Sequence, residues 1–437
     1  MTGPFGLFAL AAVLQGNAAS IQAPLTLEQA IHQAEQGSTS VKVAQSELEA
    51  ARARAGQGQA HRKPQVGFKG SATRYDNRTT VSFPGSTTPF ELQPNNEEQL
   101  ALEVTQDLDV SGQLGMVVAQ AKLSALAASY RLRSVTEDQD LTTTTAYYAV
   151  LRSEQNVGVA EASLKAYQEQ STIADRLYKG GVGQKIDTLR AQSQVAQAER
   201  ELVRRQNELD SARSALNDQL RRPLDSPLVL VDPAKSPAAM AKDEPADRPK
   251  LILEALDRRP EALAASMEVL AAQKGVSIAR TGNSLGAFIS VSGTRYPTTS
   301  FALPRQEVGA LTFGVSIPIF DGGLTRERVK EAKAGVEGAK ARQEQTRRGI
   351  ALQVQNAALD VETQRKRLDA ATVALTAATA ARKLAQQRFE SQVGLYIEVT
   401  DAQSELTAAQ AAQVEATYDL LTAKAQLARA LSLSLVP

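Results

Sequence analysis

The chain repeats itself at one register. Val182-Gly183 followed by Ile186, Ala191 and Gln192 returns as Val393-Gly394 followed by Ile397, Ala402 and Gln403, always 211 residues later. The same offset carries Val104, Gly112, Val118 and Ala121-Lys122 onto Val315, Gly323, Val329 and Ala332-Lys333. A register held over roughly eighty residues means two tandem copies of one structural unit whose length is constrained, as for long helices that must end together.

The copies diverge at one place. Thr73-Arg74-Tyr75 pairs with Thr294-Arg295-Tyr296 at an offset of 221, so ten extra residues sit in the first copy. They fall within 76–96, rich in Asn, Thr, Pro and Gly, which reads as an exposed loop tip where insertions are tolerated.

No proline lies between Pro94 and Pro223, and none between Pro318 and Pro437. These runs permit long helices over about 113–178 and 324–389, each about 100 Å long at ~1.5 Å per residue. After each comes a turn near Gly183 or Gly394. Then Val195, Leu202, Leu209 and Leu216 recur every seventh residue, with Leu406, Gln413, Leu420 and Leu427 as their copies. That spacing is a coiled-coil seam, so each long helix returns antiparallel to itself. A soluble helical bundle or coiled-coil scaffold predicts the same seam.

A bundle does not predict the segment before each long helix. Leu311, Phe313, Val315, Ile317 and Ile319 alternate with Thr312, Gly314, Ser316 and Pro318, which is strand period. Ala287, Ile289 and Val291 alternate likewise, and the first copy offers Val66 and Phe68, then Leu100, Leu102 and Val104. Each copy thus contributes one hairpin, over about 65–108 and 287–320. The fold class is mainly α with a small β part. Strands of about ten residues with one apolar face match an oblique bilayer crossing, yet four cannot close a barrel. An open edge in hydrocarbon is costly, so the chain must oligomerise, with eight strands as a dimer or twelve as a trimer. A pore wider than a side-chain-filled barrel favours twelve.

Only 4% of the 437 residues are aromatic, which is thin for several globular cores, and a net charge of +1 gives no reason to expect nucleic acid. The absence of Cys excludes disulfides, thiolate catalysis and Cys-based zinc sites. His32 and His61 are the sole histidines and no nucleophile motif occurs, so neither an enzyme nor a cofactor is expected. Residues 4–14 are apolar and precede Ala18-Ala19-Ser20, so 1–22 reads as a signal peptide, although no Lys or Arg precedes the run. The first repeat then spans 23–220, a Pro-rich linker or equatorial segment 221–250, and the second repeat 251–437. It opens at Arg259-Pro260-Glu261, and the first opens with Thr26 and Gln29 at capping-box spacing.

From about Leu25 to Leu435 the pattern resembles the TolC family of outer-membrane efflux ducts. The specific marks are the corner Val315-Ser316-Ile317-Pro318-Ile319-Phe320-Asp321-Gly322-Gly323, the Arg259-Pro260-Glu261 opening, and Arg388-Phe389 through Val393-Gly394 to Asp401-Ala402-Gln403. The resemblance implies a homotrimer in which twelve strands form one barrel among outer-membrane lipids and twelve helices form a periplasmic tunnel. A periplasmic adaptor and an inner-membrane pump of the RND, ABC or MFS type complete the path. Conduction is passive, and protein export through a type I secretion system is the alternative cargo.

Glu398 and Asp401 lie three apart just past the second tip, and in a trimer they would give two carboxylate rings that attract cations. The resemblance places such a pair at the periplasmic entrance; the plain alternative is a solvated face favoured by the helix dipole. Their first-copy counterparts are Asp187 and Arg190. The resemblance implies that Asp187 ties to a basic or tyrosine group near the second tip, and Tyr396 is available where no Arg or Lys occurs over 393–411. Val182-Gly183-Gln184 and Val393-Gly394-Leu395 match the family's adaptor-contact tips, while positive φ at Gly183 and Gly394 would explain both glycines without a partner. Pro318, Gly322, Gly323 and Gly112 are expected as structural corner residues between strand and helix.

Overall fold

The computed structural model describes residues 24–77, 79–85, 87, 89–93, 95–236, 247–297, 307–391 and 393–435. The signal-like run at the N-terminus lies outside the described residues.

Thr26 opens the fold with the expected capping box: its hydroxyl accepts from Gln29 N at 3.3 Å and the Gln29 side chain accepts from Thr26 N at 3.1 Å. Helix α1 (Leu27–Gly37) follows, then α2 (Thr39–Ala60), whose first turn is capped by Ser38. Strands β1 (Gln65–Arg74) and β4 (Asn96–Leu108) enclose a short ribbon of β2 (Thr79–Val81) and β3 (Phe90–Gln93). The stretch expected as a bare loop tip therefore carries its own small antiparallel pair. Helices α3 (Gln113–Lys179) and α4 (Lys185–Gln219) complete the first half. The second half runs α5 (Arg248–Arg258), α6 (Pro260–Arg280), β5 (Gly286–Arg295), β6 (Glu307–Ser316), α7 (Leu324–Glu390) and α8 (Tyr396–Ala430). Helices α3 and α7 both have 67 residues and α4 and α8 both have 35, and all four pairs of ends are 211 residues apart. The two positive-φ residues other than glycine, Arg221 and Ser432, stand at the same offset.

Both long helices start with the same device. Gly112 and Gly323 adopt φ +73° and +90°, left-handed conformations that a Cβ disfavours. Just upstream, Asp109 accepts from the amides of Leu114 and Gly115 at 2.9 and 2.8 Å, and Asp321 accepts from those of Gly323 and Thr325 at 2.9 and 2.7 Å. A carboxylate at this place satisfies orphan amides and complements the positive end of the helix.

The four long strands form one antiparallel sheet in the order β1-β4-β5-β6. Its register aligns Phe68 with Leu102, Val66 with Val104, Val104 with Val291, Val291 with Leu311 and Ile289 with Phe313. One face is therefore a continuous apolar band, because directly paired residues point the same way. The other face carries Thr105, Ser290 and Thr312 in one row, with Lys69 bridging to Glu103 at 2.9 Å. Strand β6 ends sooner than the alternation suggested. Ile317 and Ile319 lie past the ladder, whose last pair is Ser316 with Gly286. Pro318, which has no amide to donate, sits where the chain leaves the sheet.

Helix α3 packs on α2, α4, α6 and α8, while α7 packs on α5, α6 and α8. The main core lies midway along α3, where Tyr147, Leu151, Leu209, Leu216, Tyr418 and Leu421 gather with Leu27 and Ile31 of α1. The segment expected as a linker is partly woven into this core. Leu228 is buried in it, Leu25 N donates to Val229 O and Val231 N to Leu25 O. The Tyr147 hydroxyl donates to the carbonyls of Leu25 and Val231 at 2.8 and 2.6 Å. Beside the core the Arg429 guanidinium, 5% exposed, reaches Glu261 at 2.7 Å, Asp138 at 2.9 Å and Glu137 at 3.1 Å. It joins α8 to α3 and α6.

Candidate functional site at the helical tips

Helix α3 ends at Lys179 and α4 begins six residues later. Within that turn the amides of Val182 and Gly183 both donate to Leu177 O, at 3.0 and 2.9 Å. The second tip repeats the arrangement: Val393 N and Gly394 N donate to Arg388 O at 3.0 and 2.9 Å. The reason for glycine at 183 and 394 differs from the one expected. Positive φ at the first tip belongs to Gly181, at +77°, and neither Gly183 nor Gly394 has it. What excludes a side chain is contact with the preceding helix. A Cβ at Gly183 would lie 2.9 Å from Tyr178 N and 3.0 Å from Leu177 C, and one at Gly394 would lie 2.9 Å from Arg388 Cβ. Around these glycines Val182, Gln184, Val393 and Leu395 are exposed.

The tips are fastened by Tyr396. It is buried against Ala174 and Ala191, with the Phe389 ring edge-on at 5.7 Å. Burial pushes its hydroxyl up to about 12, and the charge of nearby Asp187 adds to the effect. No hydrogen bond joins Asp187 to Tyr396, whose hydroxyl is buried without a partner. The expected tie is thus a juxtaposition of carboxylate and phenol. Asp187 itself lies 3.9 Å from Arg190.

Glu398 and Asp401 both stand on the first turns of α8 but in different surroundings. Glu398 pairs with Arg388 Nε at 3.4 Å and is half-buried, whereas Asp401 is exposed. Tyr167 of α3 lies near Asp401, and its hydroxyl is raised by burial, an effect opposed by a hydrogen bond with Ser404. Arg388, Tyr167 and the contact of Arg382 Nε with Gln403 at 3.0 Å were not singled out from sequence as parts of the tip. Arg388 stood within the quoted motif, but its partner is ten residues on and across a turn.

At the sheet end, Gly322 has φ +65° and joins Gly112 and Gly323 in making the turns into the long helices. Ile319 and Phe320 of the second corner are 97% and 87% exposed.

This architecture is accompanied by a family match: the outer membrane efflux protein model aligns with residues 30–220 and 251–432. The chain belongs to the outer membrane efflux protein family. As such it is an outer-membrane channel protein of an efflux system, and the gap in the match falls on the segment between its two halves. Among curated proteins, this efflux protein is 25% identical over 357 residues to the solvent efflux pump outer membrane protein SrpC of Pseudomonas putida, covering 78% of this chain and 74% of the relative. The alkaline protease secretion protein AprF of Pseudomonas aeruginosa is 23% identical over 319 residues, covering 71% and 64%. The same fold occurs in the outer membrane protein VceC from Vibrio cholerae, with a TM-score of 0.75, 21% identity and coverage of 94% and 96%.

Proposed function

We propose that the chain is one third of a trimeric duct that passively conducts substrates from an inner-membrane pump and periplasmic adaptor across the outer membrane. The observation that carries this reading is the sheet. It is apolar on one face across all four strands, its outer strands β1 and β6 have no partner on their outer edges among the described residues, and 67-residue helices follow it directly. Unpaired edges in a bilayer cost several kcal/mol per group, and pairing β6 of one copy with β1 of the next removes them. Three copies give twelve strands, and the apolar face then meets lipid while Glu103, Thr105 and Ser290 face water. The α7 surface supports the same assembly, because Leu352, Leu359 and Val373 lie at multiples of seven and are exposed in the single chain.

In this reading the two halves are copies of one unit, as the 211-residue offset of all four helix-end pairs supports. The tips are the periplasmic entrance, where Glu398 and Asp401 form the acidic rings and Asp187 and Tyr396 fasten the closed state. Val182, Gly183 and Gln184, with Val393, Gly394 and Leu395, are the surface for the adaptor's helical tips. Similarity to a solvent-efflux component favours small-molecule cargo, and similarity to AprF keeps protein secretion as the second reading. The test is a planar-bilayer recording of detergent-purified protein. Stable conductance from trimers supports the duct, and a chain that stays monomeric and closed in detergent refutes it.

A further inference from the structure

Helices α3 and α8 form the contact between the α3–α4 and α7–α8 pairs, and the chemistry of that contact changes partway along it. At mid-length it is apolar, with Tyr148 and Leu151 of α3 in one cluster with Tyr418, Leu421 and Ala425 of α8. Toward the tips the buried side chains of α3 include Asn156, Ser163 and Gln170, seven residues apart. Polar groups thus occupy a line that a coiled-coil seam fills with aliphatic side chains. Ser163 meets Thr407 at 3.2 Å. Others are left short: Asn156 Oδ1, both amide atoms of Gln170, Thr188 Oγ1 and the Tyr396 hydroxyl are buried with no hydrogen-bond partner. Beside Asn156, Ser163 and Thr407 lies a cavity of about 50 Å³, room enough for water.

The two halves of the contact respond oppositely to separation. Parting the mid-length cluster exposes hydrocarbon, which water penalises. Parting the tip half supplies water to polar atoms that lack partners in the closed arrangement. We propose that the Asn156–Ser163–Gln170 line is a parting seam: between the tips and Asn156 the α7–α8 pair separates from α3–α4 as water enters, and the cluster around Leu151 and Leu421 is where separation stops. The inference rests on reading the tips as the gated end and assigns the place at which gating motion begins and ends within each subunit.

The chain has no cysteine, so single thiols report without background. Ser163 is 7% exposed and Ala425 6%, which makes Ser163→Cys and Ala425→Cys a pair matched in static burial. In the purified full-length protein, a water-soluble maleimide should label Ser163→Cys at least about tenfold faster, because local opening and not average exposure sets the rate. Adding Asn156→Leu and Gln170→Leu should slow Ser163→Cys labelling by about tenfold and leave Ala425→Cys unchanged. Equal labelling of the two thiols, or indifference of Ser163→Cys to the leucines, overturns the proposal. If the leucine variant fails to assemble, the first comparison decides alone. Labelling as expected with unaltered conductance in the leucine variant would retain the seam and remove the gate reading.

Discussion

Replacing Gly183 with alanine tests why the tip needs glycine. The added Cβ would lie 2.9 Å from Tyr178 N and 3.0 Å from both Leu177 C and Leu177 Cβ, and two of these three are backbone atoms that cannot swing aside. Relieving the overlap moves the turn off the helix end and weakens the paired bonds from Val182 N and Gly183 N to Leu177 O. Overpacking of this kind costs about 1–3 kcal/mol, and a mid-range value of about 2 corresponds to ~30-fold in a local opening equilibrium. Gly181 is the control. Its φ is +77° but a Cβ there meets nothing within 4 Å, so Gly181→Ala carries only the left-handed penalty of about 1 kcal/mol, or ~5-fold. Hydrogen exchange resolved to the tip peptide should rank Gly183→Ala above Gly181→Ala above wild type, with amides around Tyr147 unchanged and trimers intact on a native gel. Wild-type exchange in Gly183→Ala, or a larger effect from Gly181→Ala, would refute the steric account. Bulky residues at both Gly183 and Gly394 should also abolish adaptor crosslinking.

Glu398→Gln with Asp401→Asn should reduce cation selectivity, read as a smaller reversal potential in a salt gradient; an unchanged potential would count against their lining the pore. Glu398→Gln alone should have the weaker effect, since Arg388 already offsets part of its charge. Arg429→Met leaves Glu261 and Glu137 without their shared cation and should cost about 3 kcal/mol, the lower end for a broken buried pair because Arg259 still holds Glu261 at 2.8 Å, and denaturant melts of the helical signal would measure it. Asp140 is pushed up from 3.8 to about 7, by burial first and then by neighbouring Glu35 and Glu137. A raised carboxyl contributes stability that is full below its ordinary value and lost as pH rises toward 7, so the melting temperature should fall over that window and Asp140→Asn should flatten the fall.

Periodicity carried most of the fold. Helix ends at Lys179 and Glu390 lie within one residue of those read from proline-free runs and the repeated register, because long helices leave sequence-wide marks. The corner was legible for the same reason: Asp321-Gly322-Gly323 combines a capping carboxylate with two glycines of positive φ. What stayed hidden depended on contacts distant in sequence. Leu228 to Val231 alternate too briefly to read as a core segment, and only Tyr147, more than eighty residues upstream, explains their burial. Gly183 and Gly394 were recognisable as turn residues, yet whether conformation or contact demands them is a three-dimensional distinction. Arg388 escaped notice because its carboxylate partner lies across the turn.

Cryo-electron microscopy of the detergent-purified particle, imaged along and across its long axis, tests the trimeric duct most directly. The account predicts three-fold symmetry, a hollow axis and a helical body of about 100 Å, the length of a 67-residue helix at ~1.5 Å per residue, ending in a barrel. A solid rod, a two-fold particle or a monomer would contradict it.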